Sequence, residues 1–148
     1  MEPFIRELQI RWSDLDLNGH LRHSVYYDWG AYCRIRFLSE KGLTTTRMME
    51  LRVGPVIFRE ECVFKKEIRP GDPVFIDLEL TRSRRDFSRW GMQHRIYKDA
   101  HTLAAIISLE GAWMDTLKRK LTIPPSEVAA AYNVMPLAGH FRWLEDAS

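Results

Sequence analysis

The chain is short of cysteine, of long apolar runs and of net charge, and each shortage removes a class of protein. Its two cysteines, Cys33 and Cys62, cannot build the disulfide framework of a small secreted scaffold. Cys33 falls in a helical pattern and Cys62 in a strand pattern, so both read as small buried apolar residues. The fully apolar stretch from Leu103 to Ile107 is far below the ~20 residues of a spanning helix, so no membrane span is expected. Lys and Arg number 22 against 20 Asp and Glu, a net charge of +2, too small a surplus to imply a nucleic-acid partner. The N-terminal MEPFIRELQI has no basic start followed by an apolar run. No signal peptide is therefore expected, and the expected localisation is cytoplasmic.

What is present suits one domain over residues 1–148. A chain of this length hides roughly 70% of its unfolded surface on folding, enough for a core without staples. Leu8, Ile10 and Trp12 alternate with Gln9 and Arg11, which predicts a half-buried strand. A polar stretch from Ser13 to His20 follows and reads as a structured loop. From Ser24 to Lys41 the spacing becomes helical. Tyr26, Gly30, Cys33 and Phe37 form one stripe, and Ala31, Ile35 and Leu38 a second. Ser24 is the expected N-cap and Gly42 the expected stop. With Trp29 and Tyr32 added, few faces are polar, so the helix is expected to be enclosed by the fold.

The remainder is mostly strand. Thr44 to Met49 is ambiguous. Val56, Phe58, Cys62, Phe64 and Ile68 share one parity, and Arg69-Pro70-Gly71-Asp72-Pro73 is a turn. Val74, Ile76, Leu78 and Leu80 alternate with Asp77 and Glu79. Trp90, Met92, His94 and Ile96 then alternate with Gly91, Gln93 and Arg95. A hairpin turn at Tyr97 to His101 leads into Leu103 to Trp113, the most apolar and hence most central strand. Ser126 to Tyr132 reads as a short helix capped by Ser126. One strand, one buried helix and about four long strands argue for an α+β domain: a long central helix wrapped by a curved antiparallel sheet of about five to six strands.

The chemistry is concentrated in Asp14-Leu15-Asp16-Leu17-Asn18-Gly19-His20-Leu21-Arg22-His23. The helix beyond it offers free backbone N–H groups and a partial positive charge, a suitable place for a developing oxyanion. Gly19 lets the backbone approach a ligand. A nearby carboxylate can attack a carbonyl or take a proton from water. Singly, Asp14, Asp16 and Asn18 read equally as turn and cap residues, and His20 or His23 as a structural histidine. A metal held by His20, His23 and the aspartates is thinkable, but no second ligand cluster follows and the spacing matches no strong zinc pattern. Arg82, Arg84, Arg85 and Arg89, and again Lys118 to Lys120, are either solvated turns or a seat for a phosphate-bearing ligand.

Read whole, Arg11-Trp12-Ser13-Asp14-Leu15-Asp16-Leu17-Asn18-Gly19-His20, followed by Tyr26 and Arg34, resembles the hotdog-fold acyl thioesterases. The likeness is to the group of 4-hydroxybenzoyl-CoA thioesterases, their Tol-Pal-linked bacterial relatives and the plant acyl-carrier-protein (acyl-ACP) thioesterases. Gly54-Pro55-Val56-Ile57, Ile68-Arg69-Pro70-Gly71-Asp72 and Arg119-Lys120 leading to Ile123-Pro124 follow in the family's order. The resemblance implies a hotdog fold, hydrolysis of an acyl-CoA or acyl-ACP, no cofactor, no metal, and a homodimer or homotetramer with sites at the interface. It implies Asp16 as the catalytic aspartate, with Asp14 a structural companion, His23 as a catalytic histidine, and Asp16, Asn18 and His20 in an Asp-x-Asn-x-His pattern. Glu67 lies near a further acid of the plant type.

Three positions depart from the pattern. Arg22 and His23 stand where the family often has two asparagines, and Ala31 stands where it often has a helical glutamate. Under this reading the carbonyl oxygen meets backbone N–H groups around His23, Ser24 and Val25, with Gly19 and Tyr26 beside the substrate. Tyr27 and Trp29 are either acyl contacts or plain core. Arg82 and Arg84 hold the pantetheine phosphate, and exposed faces of Trp90 and Met92 serve the subunit contact. The alternatives are a hotdog hydratase, whose histidine-aspartate arrangement is not seen, and a scaffold protein that keeps the acyl pocket without the activity.

Overall fold

The computed structural model describes residues 2–146. Its elements are β1 (Phe4–Leu8), α1 (His23–Glu40), α2 (Thr45–Leu51), β2 (Val53–Phe64), β3 (Val74–Ser83), β4 (Arg89–Tyr97), β5 (Leu103–Asp115), β6 (Lys120–Leu121), α3 (Ser126–Asn133) and β7 (Leu137–Trp143). The strands form one curled sheet in the order β1-β3-β4-β5-β2, with β6 on β5 and β7 on β3. All pairings are antiparallel except β7 on β3. The sheet wraps α1, an α+β half-barrel of the kind the sequence led us to expect.

The stripe Tyr26, Gly30, Cys33 and Phe37 faces the sheet and is buried. The second stripe is not: Leu38 is covered, Ala31 is half-buried and Ile35 is exposed. The sheet therefore encloses one side of α1 and leaves the other open. The helix ends as Gly42 foretold. The Leu43 N–H reaches Leu38 O at 2.8 Å and the Gly42 N–H reaches Ser39 O at 3.0 Å, the paired closure that satisfies the last carbonyls. Its start differs from expectation. Arg22 is the N-cap and makes no side-chain cap bond, so Ser24 lies inside the first turn. Pro125, not Ser126, precedes α3 in the same way.

Other boundaries moved for reasons of pairing. The first strand runs from Phe4 to Leu8, because its partner β3 begins at Val74, opposite Leu8. Trp12 consequently lies beyond the sheet in a 3-10 turn and is 90% exposed. A bulge in β2 between Ile57 and Arg59 breaks the parity that joined Val56 to Phe64. Trp90 and Met92 point toward α1 and are buried. The exposed apolar side chains of the edge lie instead on β2, at Ile57, Phe58, Val63 and Phe64. Thr44 caps α2 by accepting the Arg47 N–H at 3.1 Å, which resolves the ambiguous segment as helix. β7, absent from the sequence reading, covers the part of β3 that β1 leaves open.

One polar knot sits in this core. The β3–β4 ladder pairs Ile76 with Ile96 and Glu79 with Gln93 but is open between those pairs. Side chains fill the gap. The Asp77 carboxylate accepts the Arg95 N–H at 2.6 Å and its guanidinium Nε at 2.6 Å. The Asp77 carbonyl accepts His94 Nδ1 at 2.8 Å and the Cys33 thiol at 3.6 Å. Arg34 Nη1 lies 2.9 Å from His94 Nε2. A guanidinium only donates and a carbonyl only accepts, so His94 is neutral with its proton on Nδ1. Its burial, and secondarily the Arg34 charge, push its pKa down to about 3 against an opposing hydrogen bond to Asp77.

Two predictions follow from this packing. A Cβ on Gly111 would stand 2.5 Å from Val56 O and 2.5 Å from the Trp90 ring. Gly111→Ala is expected to lower unfolding stability by about 2 kcal/mol or more, read by urea denaturation. His94 has a folded pKa below its unfolded one, so the unfolded chain binds the extra proton first. Stability is expected to be whole above the ordinary histidine range and to fall by up to about 1.4 kcal/mol per pH unit as pH drops through 6 toward 3. His94→Gln should flatten that portion of the pH–stability curve.

Candidate functional site

The segment between β1 and α1 is held by a buried carboxylate. Asp14 is fully buried and accepts the Arg11 N–H at 2.8 Å and Arg11 Nη2 at 3.0 Å. Burial alone would raise its carboxyl, but the hydrogen bonds and charge of Arg11 outweigh this and hold it below the usual carboxylate range. The chain then crosses to the sheet. The Leu21 N–H reaches Ile68 O at 3.1 Å, and the Arg22 N–H returns to Asp14 O at 2.7 Å. Between these anchors Leu15 bridges Leu21, and the intervening residues form a tight loop.

Asp16 organises that loop. Its Oδ1 accepts the N–H groups of Asn18 at 2.8 Å and His20 at 3.1 Å. Its own N–H reaches His20 O at 2.8 Å, and its carbonyl accepts the Gly19 N–H at 3.1 Å. Gly19 has φ +75° and a Cβ there would meet nothing within 4 Å. Its role is the left-handed backbone, not a close approach. Among the described residues Oδ2 of Asp16 makes no hydrogen bond and Asp16 is exposed, so one oxygen is fixed by the loop and the other is free.

Asp16, His20, His23 and Tyr26 line one groove with Phe64, Lys65, Lys66, Glu67 and Ile68, of about 340 Å³. His20 Nε2 lies 3.6 Å from Glu67 Oε2. A hydrogen bond from Arg69, with the His20 charge, holds the Glu67 carboxyl below the usual range. The Tyr26 ring packs edge-on to Phe64 at 4.9 Å, and burial pushes its hydroxyl up to about 12. The start of α1 opens beside this groove. The Val25 N–H is taken by Arg22 O at 3.0 Å. Those of His23 and Ser24, the first two of the helix, have no acceptor among the described residues.

Not every candidate joins the groove. Asn18 is an exposed loop residue, and its side chain does not line it. Val25 is a core side chain and Trp29 is buried; Tyr27 is half-buried. Arg82 and Arg84 line a different groove with Arg89, Glu110 and Arg142, where Arg82 is paired with Glu110. Sequence reasoning missed Lys65 and Lys66. Their N–H groups both bind Ala104 O, at 2.8 and 3.1 Å, which turns the end of β2 toward Asp16. The signal was a basic pair directly after an apolar strand. No group of three His, Cys, Asp or Glu placed to hold a metal ion occurs among the described residues, and none of their helices is long and apolar enough to cross a membrane.

The fold and this segment have counterparts. An esterase-like protein of Aquifex aeolicus, named a putative esterase, is 27% identical over 78 residues, 53% of this chain. The match spans only 61% of that relative's length. A Staphylococcus aureus protein solved in complex with CoA superposes with a TM-score of 0.81 at 18% identity, over 93% of this chain and 88% of that one. A 1,4-dihydroxy-2-naphthoyl-CoA thioesterase from Synechocystis gives 0.79 at 16% identity, over 90% and 97%. At these identities the superpositions establish a shared fold. The family model of the thioesterase-like superfamily matches residues 10–132, and the chain belongs to that superfamily.

Proposed function

We propose that the protein hydrolyses an acyl thioester, of CoA or of acyl-carrier protein, in the groove at the start of α1. The observation that carries this reading is the free oxygen of Asp16, held by its bonded partner beside His20, His23 and two open backbone N–H groups. The thioester oxygen would accept the N–H groups of His23 and Ser24, which strengthen as it gains negative charge. Asp16 then acts by one of two routes. As general base it takes a proton from water while the water oxygen bonds to the carbonyl carbon. As nucleophile it bonds to that carbon itself, and water later cleaves the mixed anhydride. In both, the C–S bond breaks and the thiolate leaves, with His20 or His23 as the proton source.

Lys65 and Lys66 line this groove and suit the phosphate of a pantetheine arm. Arg82 and Arg84, in their separate groove, are less well placed within one chain. We read the assembly as a homodimer, or two such dimers, joined through the sheets. β2 is one edge of the sheet and carries the exposed apolar side chains of Ile57, Phe58, Val63 and Phe64. The CoA complex of the Staphylococcus aureus counterpart and the 1,4-dihydroxy-2-naphthoyl-CoA thioesterase named for Synechocystis support this reading.

Thiol release from short, long and aromatic acyl-CoAs tests it. Asp16→Asn keeps the Oδ1 acceptor and so the loop, and is expected to lose at least about 100-fold in turnover. Unchanged turnover would remove Asp16 from the chemistry. A folded protein that releases thiol from no acyl-CoA or acyl-ACP would favour the scaffold alternative. Replacing Lys65 and Lys66 together by Ala is expected to raise KM for acyl-CoA several-fold, leave kcat nearly unchanged and weaken the salt dependence of KM.

A further inference from the structure

A second cavity of about 170 Å³ lies between the C-terminal half of α1, the start of β2 and α3. It shares no lining residue with the groove at Asp16, and Arg34 sits about 16 Å along the helix from His23. Ala31, Leu38, Leu78, Met92 and Met135 make its walls apolar, and among the described residues Arg34 is the only charged one lining it.

The guanidinium at this cavity is short of acceptors. The Arg34 side chain is 13% exposed. Its one hydrogen bond among the described residues goes to His94, although a guanidinium carries five N–H donors. Glu60 Oε2 lies 3.6 Å from Nη2, an ionic neighbour outside hydrogen-bond reach. An enclosed cation with unbonded donors is unfavourable until an acceptor reaches it.

We propose that this cavity is a binding site for a compact organic carboxylate, its apolar body in the chamber and its carboxylate on Arg34. Size fixes the body. An apolar protein cavity near 150 Å³ admits a benzene ring, so this one takes a single ring or about six carbons. Charge fixes the head. A cation cannot stand beside Arg34, and a neutral apolar ligand leaves the donors unpaired. The entering carboxylate takes the Arg34 donors that Glu60, with Oε2 at 3.6 Å, leaves unbonded. The site does not depend on the thioesterase reading. Under that reading the ligand belongs to the chemical class of the product, bound away from where it forms.

Calorimetric titration and ligand-induced thermal shift test this with benzoate and hexanoate, each beside its uncharged amide. The acids are expected to bind at least tenfold more tightly than benzamide and hexanamide, the ratio set by charge-assisted hydrogen bonding. Arg34→Met should remove that preference. Ala31→Leu, which fills the chamber and leaves Arg34 in place, should block both acids. Glu60→Gln should tighten them by removing a competing carboxylate. Asp16→Asn should bind the acids as the parent does, whatever its effect on thiol release, so failure of the catalytic reading stays distinguishable. Equal binding of acids and amides would overturn the proposal, as would absence of binding by any probe. Acid binding that survives Ala31→Leu would place the ligand elsewhere and also overturn it.

Discussion

The open rung between β3 and β4 is the constraint on which the rest of the structure turns. A ladder interrupted in the middle of a sheet leaves backbone groups buried without partners, and such groups are costly in an apolar interior. Here Asp77 and His94 take them up, and the same two residues reach further. Asp77 ties Arg95 to the outer face of the sheet, and His94 ties Arg34 of α1 to the inner face. The helix and the sheet are thereby keyed to one rotation and one height, because an imidazole with both nitrogens engaged tolerates little displacement. Apolar packing around Cys33 and Phe37 supplies the bulk of the cohesion, but it is the polar knot that selects one arrangement.

That fixed height determines what the chain can offer at the start of α1. The loop from Asp14 to Arg22 is strung between a buried carboxylate and the carbonyl of Ile68, so its ends cannot drift. Asp16 then divides its labour, one oxygen holding the loop and the other left without a bond among the described residues. Preorganisation of this kind lets a short exposed loop present a group with defined direction. The opposite end of the same helix carries the Arg34 cavity. One rigid rod thus displays two unlike surfaces, a polar groove with histidines and lysines and an apolar chamber whose described lining has a single cation.

Much of this was legible in the sequence where the information is local. The stripe of Tyr26, Gly30, Cys33 and Phe37 states the buried face of α1, and the strands from β3 to β5 announce themselves by alternation. Asp16, His20 and His23 are close in sequence, so their meeting in one groove could be read from spacing and resemblance. What could not be read depends on partners distant in the chain. Phe4 is a strand residue and Trp12 is not, because β3 starts opposite Leu8. The cap of α1 falls on Arg22 because Asp14 draws its N–H. His94 looked like one more member of an alternating strand; only the gap across from it makes it a structural hinge-pin. Lys65 and Lys66 reach the groove by way of Ala104, and β7 finds β3 across a span that no local pattern records.

The bulge at Phe58 bears on how the sheet meets the outside world. β2 is a long edge strand with apolar side chains in the open, the form of surface that ordinarily recruits any passing extended peptide. The irregularity between Ile57 and Arg59 divides that edge into two shorter runs with different twist. A regular strand can zip along only one run before losing register. The edge therefore offers two short templates in place of one long one, which makes it a poorer seat for a regular extended strand.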